Sequence, residues 1–214
     1  MSFGYPVMLE LAGRRCVVIG VQAVREGKVE GLLAGGADDV LVVEPSLDDR
    51  FDGVAGVNVR RRVWRPADLD GAFLAVASSD DATTRAAIAR EARARGALVN
   101  VVDDIPHCDW AAPAVVRRGD LILAIGTGGV SPAVARLVRE RLQTEFGAEW
   151  VEVLRVVGEV RRETLPSLPD LPERACRWQA ALDLDEAAGL VREGRAEELR
   201  DQLRQRLLDG VTTP

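Results

Sequence analysis

The chain has 214 residues, enough for one well-buried core and a smaller appendage, since single domains usually run to about 100–200 residues. Its 47% hydrophobic and 29% charged residues are those of a folded globular protein and leave no room for a long disordered tract. The formal net charge is -6 with the basic residues dispersed, which argues against nucleic acid as a partner, and no stretch approaches the roughly 18 apolar residues of a membrane span.

Met1 to Glu10 carry no basic region followed by an apolar core, so no leader is read there and a cytoplasmic location is expected. Cysteines 16, 108 and 176 are odd in number and widely spaced, and read as reduced thiols. The single histidine, His107, excludes a multi-histidine metal site within one subunit.

In chain order, short β-branched runs alternate with longer amphipathic stretches, the pattern of βαβ units. The expected fold is α/β, a Rossmann-like parallel sheet with helices on both faces followed by a helical extension. Strands are expected at Cys16 to Ile19, Val40 to Val43, Phe73 to Ala77, Ala97 to Val102 and Leu121 to Ile125, with Val57 to Val63 as an additional one. Crossover helices are expected over Ala23 to Ala34 and Ala82 to Arg95, ended by Gly35-Gly36 and Gly96. Ser131-Pro132 opens another helix that runs to about Phe146. From Glu149 onward the periodicity is helical, interrupted by a linker at Leu165 to Pro172. The last helix, Ala196 to Leu208, aligns Leu199, Leu203 and Leu207 on one face that is expected to meet a second subunit, or else to pack within its own.

A strand, then Gly20, then a helix, with Glu44 closing the second strand, is the layout of a dinucleotide site. The helix start would hold a pyrophosphate and the acid would accept hydrogen bonds from ribose hydroxyls. Gln22 and Arg25 stand where the full fingerprint has glycine, so an ordinary strand-to-helix turn is the equal alternative, and the Gln22 side chain must swing outward if a phosphate is to approach.

Asn100-Val101-Val102-Asp103-Asp104 ends a strand at the edge where open α/β sheets place their ligands, and partial burial there would suit Asp103 to general-base work. A turn-capping aspartate is the plainer alternative. His107, Cys108 and Asp109 could join Asp103 as a landing site for a metal ion, but they are too few for a resident one. Gly126-Thr127-Gly128-Gly129-Val130-Ser131-Pro132 joins a strand to a helix start, so its amides and hydroxyls are expected to cradle an anion, with Arg117, Arg118 and Arg136 adding positive charge.

Val99 to Asp104, Pro113-Ala114, Thr127 to Pro132 and Ala135-Arg136-Leu137 together resemble the precorrin-2 dehydrogenase and sirohydrochlorin ferrochelatase family, whose members include the N-terminal part of sirohaem synthase. The likeness runs from Tyr5-Pro6 to the helices around Trp178. It implies a homodimer that moves hydride from precorrin-2 to NAD, giving sirohydrochlorin in sirohaem biosynthesis, with ferrous iron insertion as a further activity in some members. It makes Asp103 the catalytic residue and puts cofactor contacts at Ala23, Val24, Glu44 and Pro45, which Gly20 and Gln22 of the first turn are expected to join, and it puts the tetrapyrrole at Thr127, with Gly128, Gly129, Ser131 and Arg136 of the anion cradle expected beside it. Residues 1–112 become the NAD-binding domain, 113–148 a central strand, glycine loop and helix serving the dimer and the tetrapyrrole cleft, and 149–214 a helical domain. Of the family's usual first turn only Gly20, Val24 and Lys28 remain, and Arg85 stands where asparagine is common. Two other functions stay open: a tetrapyrrole chelatase or carrier without NAD-dependent activity, and a non-catalytic dimeric scaffold or sensor.

Overall fold

A computed structural model describes residues 4–209, so the first three positions of the leader reading at Met1 to Glu10 lie outside it. The chain divides into two compact units, Met1–Ala112 and Pro113–Pro214.

In the first unit, β1 (Arg15–Ile19), β2 (Asp39–Val43), β3 (Val57–Arg60), β4 (Leu74–Ala77) and β5 (Leu98–Val101) form one parallel sheet in the order β3-β2-β1-β4-β5. Apart from Arg15 and Asp39 at their first positions, the inner strands are apolar because both faces are covered. Val18, Val42 and Val76 face α1 (Val21–Arg25) and α2 (Lys28–Ala34) through Ala23, Val24, Val29 and Leu32. Val17, Leu41, Ala75 and Val99 face α3 (Ala82–Ala94) through Ile88, Ala89 and Ala92. The carboxyl ends of all five strands therefore share one edge, and that edge carries the site.

Two expectations change here. The helix read as continuous over Ala23 to Ala34 is broken at Gly27, whose φ of +72° is left-handed, so α1 is only five residues long. The strand expected over Val57 to Val63 stops at Arg60. Beyond it, Asp68 is buried in the 3-10 turn Pro66–Leu69 and accepts hydrogen bonds from Arg62 Nη1 (2.8 Å), Arg62 Nη2 (2.6 Å) and the Arg65 amide (2.7 Å). Bonding to Arg62 holds the Asp68 carboxyl below its usual range despite desolvation. Its contribution to stability is therefore present above the unfolded carboxyl value of about 4 and is lost as the pH falls toward the depressed folded value. We expect Asp68→Asn to lower unfolding free energy at pH 7 by about 1–3 kcal/mol. Denaturant curves of the two proteins should begin to draw together below about pH 4 and meet only as the pH approaches the depressed folded value.

In the second unit, β6 (Ala114–Arg118) and β7 (Leu121–Ile125) form a separate antiparallel hairpin. Leu121 to Ile125 is a strand, but it does not belong to the parallel sheet, and β6 was not expected. The reversal is made by Gly119 at φ +58° with Asp120 after it. Then follow α4 (Pro132–Glu145), α5 (Glu149–Thr164), α6 (Leu171–Ala181), α7 (Leu184–Arg192) and α8 (Ala196–Leu208).

Leu199, Leu203 and Leu207 are buried within this unit against Trp150, Val153, Val156 and Val160 of α5 and Ala187 and Leu190 of α7. The α8 stripe is thus core, and its reading as a face for a second subunit is corrected. Leu203→Ala should cost about 2–5 kcal/mol, as deletion of a buried leucine usually does, and sedimentation of the folded variant should match the wild type. Helix α4 differs, since it buries no residue and leaves Val134, Leu137 and Val138 exposed. Among the described residues, no helix is long and apolar enough to cross a membrane.

Candidate active site

The turn after β1 is built around a close backbone approach. Gly20 has φ +99°, and a Cβ there would lie 2.1 Å from the Ser78 carbonyl oxygen. Ser78, buried at the end of β4, accepts a hydrogen bond from the Ala23 amide on its Oγ (2.9 Å), while its own amide donates to Ile19 (2.8 Å). Only a residue without a side chain fits the first position of this turn.

A cavity of about 200 Å³ opens beside it, lined by Gly20, Val21, Gln22, Glu44, Ser78, Ser79 and Asp80. Those residues end β1, β2 and β4, so the cavity lies where the strand order reverses, the place at which open parallel sheets take their ligands. The Val21 and Gln22 amides have no protein partner among the described residues. The helix behind them is short, so these two amides carry more of any anion binding than a helix dipole does. Ala23 and Val24 are buried in the core and can reach a ligand only indirectly, through the turn they anchor. Glu44 is half-buried, with Oε1 accepting from the Ser46 amide (2.9 Å) and hydroxyl (2.6 Å); Pro45 is exposed and does not line the cavity.

Asp103 follows β5 on the same edge. It is the one non-glycine residue with positive φ among those described, at +57°, and its side chain is exposed rather than partly buried as expected. Its Oδ2 accepts a hydrogen bond from Gln22 Nε2 at 2.9 Å. The Gln22 side chain is thus directed at Asp103. A second cavity, about 370 Å³, lies below the turn, lined by Glu26, Lys28, Asn100 to Ile105, Cys108, Ala111 and Ala112.

The neighbouring polar groups serve to shape this turn. Asp104 pairs with His107 Nδ1 (2.8 Å) and Arg85 Nε (3.5 Å), and the His107 hydrogen bond is the main cause that holds its carboxyl below the usual range. Cys108 Sγ packs on the Val101 amide (3.1 Å), and burial pushes its thiol up. Asp109 is held by Arg93 (3.0 Å) and the Val99 amide (3.0 Å). Every member of the suggested metal landing site is thus engaged with protein, and no group of three such ligands occurs among the described residues.

In the second unit, the 126–132 loop folds on itself. Thr127 Oγ1 donates to the Ser131 carbonyl and accepts from the Ser131 amide, both at 3.2 Å, and Ser131 Oγ caps α4 at the Val134 amide (3.3 Å). The Thr127 hydroxyl hydrogen is thus spent within the loop, whereas Ser131 Oγ accepts from Val134 and keeps its own hydrogen to donate. The loop also offers the Gly128 and Gly129 amides, which have no protein partner among the described residues, with Gly128 at φ +61° and Gly129 at φ +84°. Arg118 is spent on the Phe146 (2.9 Å) and Gln143 (3.1 Å) carbonyls, whereas Arg136 is exposed and only loosely paired with Glu140 (3.4 Å).

Sequence reasoning missed Ser78, Ser79 and Asp80. The signal was a Ser-Ser-Asp run closing an apolar strand, the residue types that turn a chain at a sheet edge. It also missed Arg85 as a clamp, for its Nη1 donates to the Ser79 carbonyl (2.5 Å) while its Nε faces Asp104.

A family model described as putative NAD(P)-binding matches residues 7–114. Siroheme synthase of Chromobacterium violaceum is 34% identical over 209 residues, covering 96% of this chain and 44% of that protein. Siroheme synthase 1 of Pectobacterium atrosepticum is 33% identical over 208 residues, covering 95% and 43%. The chain thus spans less than half the length of these relatives. The solved structure of SirC, a precorrin-2 dehydrogenase, superposes with a TM-score of 0.65 at 24% identity, covering 96% of this chain and 98% of that one, and so shares the fold.

Proposed function

The chain belongs to the putative NAD(P)-binding family, and from that premise we propose that it is an NAD-dependent precorrin-2 dehydrogenase that makes sirohydrochlorin in sirohaem biosynthesis. The observation that carries this reading is a cavity at the strand-order reversal, lined by Gly20 and Glu44, from which one glutamine side chain reaches Asp103. The names of the relatives, siroheme synthases, favour a tetrapyrrole as substrate.

The residues present suit the dinucleotide. The Gly20 turn leaves the Val21 and Gln22 amides for the pyrophosphate, and the Glu44 carboxylate suits ribose hydroxyls while repelling a 2′-phosphate, which favours NAD over NADP. When bound, NAD supplies the acceptor for the hydride that leaves precorrin-2. Asp103 takes the proton that leaves with it. The Asp103 Oδ1 has no protein partner among the described residues and is the atom free to do so. The Gly128 and Gly129 amides and Arg136 offer hydrogen bonds and charge to substrate carboxylates. The exposed Val134, Leu137 and Val138 of α4 support a homodimer, and the reading places the enzyme in the cytoplasm.

Calorimetric titration of the intact protein with NAD and with NADP tests the cofactor half. NAD is expected to bind at least about tenfold tighter, about 1.4 kcal/mol, because only NADP brings a second anion to Glu44. Absence of heat with either nucleotide, while sirohydrochlorin still binds, would replace the dehydrogenase by a tetrapyrrole carrier or chelatase.

A further inference from the structure

We propose that Gln22 is a positioning residue, which fixes the carboxylate of Asp103 and ties its orientation to the turn that meets the dinucleotide. The inference rests on the dehydrogenase reading for its chemical meaning, but its geometry stands by itself. Gln22 lines the smaller cavity and Asp103 the larger one, and the bond between them joins residues 81 positions apart.

Both hydrogens of the Gln22 amide are used. One goes to Asp103 Oδ2 at 2.9 Å and the other to Glu26 Oε1 at 3.2 Å. Both partners are carboxylates, which only accept when ionised, so the nitrogen end of the amide must face them and a flipped amide is excluded. The donor is therefore directed, and it is anchored at its far side by Glu26.

The acceptor is constrained from the other direction. At φ +57° the Asp103 backbone aims its Cα–Cβ bond along a path that ordinary strand or helix backbone does not give. An exposed carboxylate on such a turn would otherwise rotate freely. With Oδ2 held by Gln22, rotation stops, and Oδ1 is presented as the base. A residue that looks like erosion of a glycine-rich turn thus acquires a task at the reacting end of the site. The same link makes the β1 turn and the base move as one, so nucleotide contact at Val21 and Gln22 steadies Asp103.

Two variants separate positioning from mere packing. Gln22→Glu keeps size and shape but removes both donors and adds a charge facing Asp103, and Gln22→Ala removes the side chain. The intact chain, labelled with nitrogen-15, gives the first readout: the Gln22 side-chain amide protons should stand apart from those of exposed glutamines and move to the exposed position in Asp103→Ala. A Gln22 signal already at the exposed position, and indifferent to Asp103→Ala, overturns the inference whether or not the protein oxidises precorrin-2.

Kinetics give the second readout. Both variants should lower kcat for precorrin-2 oxidation by about 10- to 100-fold, the scale for a misplaced catalytic group; KM for NAD should stay within about threefold of wild type in Gln22→Ala, which keeps the backbone amide, and rise in Gln22→Glu, whose charge enters the cavity that Gln22 lines. A raised KM for NAD with kcat intact would make Gln22 a cofactor contact instead, and unchanged kinetics would make it a bystander. Either result overturns the proposal. Wild type without turnover would count against the dehydrogenase reading alone, and the amide signal then decides the positioning claim.

Discussion

Asp103→Asn is expected to lower kcat by about 10²- to 10⁴-fold, the usual contribution of a positioned acid or base, while the thermal midpoint stays at the wild-type value. Asparagine is the informative replacement because it tolerates the left-handed backbone that Asp103 adopts at φ +57°. It keeps the shape of the side chain and an oxygen for Gln22, and loses only the ability to take a proton. Asp103→Ala should lose as much activity and also destabilise the turn by up to about 1–2 kcal/mol, since alanine has no local hydrogen bond to offset that conformation. Steady-state kinetics beside thermal unfolding separate the cases. An asparagine variant that unfolds early would make the carboxylate a support for the turn rather than a base.

Gly20→Ala carries the largest expected loss of stability, at least about 3 kcal/mol, since strained backbone and steric overlap add. The new Cβ would stand 2.1 Å from the Ser78 carbonyl oxygen and 2.4 Å from its hydroxyl, at a φ of +99° that alanine rarely adopts. The neighbour cannot yield cheaply, because the Ser78 amide is bonded to Ile19 and its Oγ receives the Ala23 amide. Removing the hydroxyl as well should not rescue the variant, since the carbonyl is the nearer obstacle. Denaturant unfolding of Gly20→Ala and of Gly20→Ala with Ser78→Ala checks this. Wild-type midpoints in either would show that the turn relaxes away from β4, and nucleotide affinity should then fall instead.

Much of the frame was legible from residue type. β1, β2, β4 and β5 are mainly apolar runs closed by turn residues, and burial on both faces of the inner strands leaves few other patterns for them. The N-cap at Ser131 and the left-handed Gly36 and Gly96 were readable for the same local reason. The break at Gly27 was not, because one glycine inside helical composition is compatible with either a continuous helix or a stop. β6 was hidden by Arg117-Arg118, which drew the eye to charge although Gly119-Asp120 between two apolar runs is a hairpin signal. The α8 leucines illustrate the limit of periodicity, since it shows that a face is apolar and not what covers it.

At the site, Gly20, Gln22, Glu44 and Asp103 were all marked by sequence, but only the fold reveals their relations. The bond from Gln22 to Asp103 depends on the swing of one turn and the left-handed backbone of the other, neither of which is encoded by local pattern. Ser78 was invisible because its importance is the space it denies to Gly20. The use of the Thr127 hydroxyl within its own loop was not legible either, for a tight loop satisfies its own polar groups first when it can.

Oxidation of precorrin-2 by NAD at Asp103 is tested by the stoichiometry of turnover by the purified protein under anaerobic conditions. One NADH is expected for each sirohydrochlorin formed, and neither product from Asp103→Asn. Sirohydrochlorin appearing without NADH, or no product from a protein that binds both ligands, would contradict it.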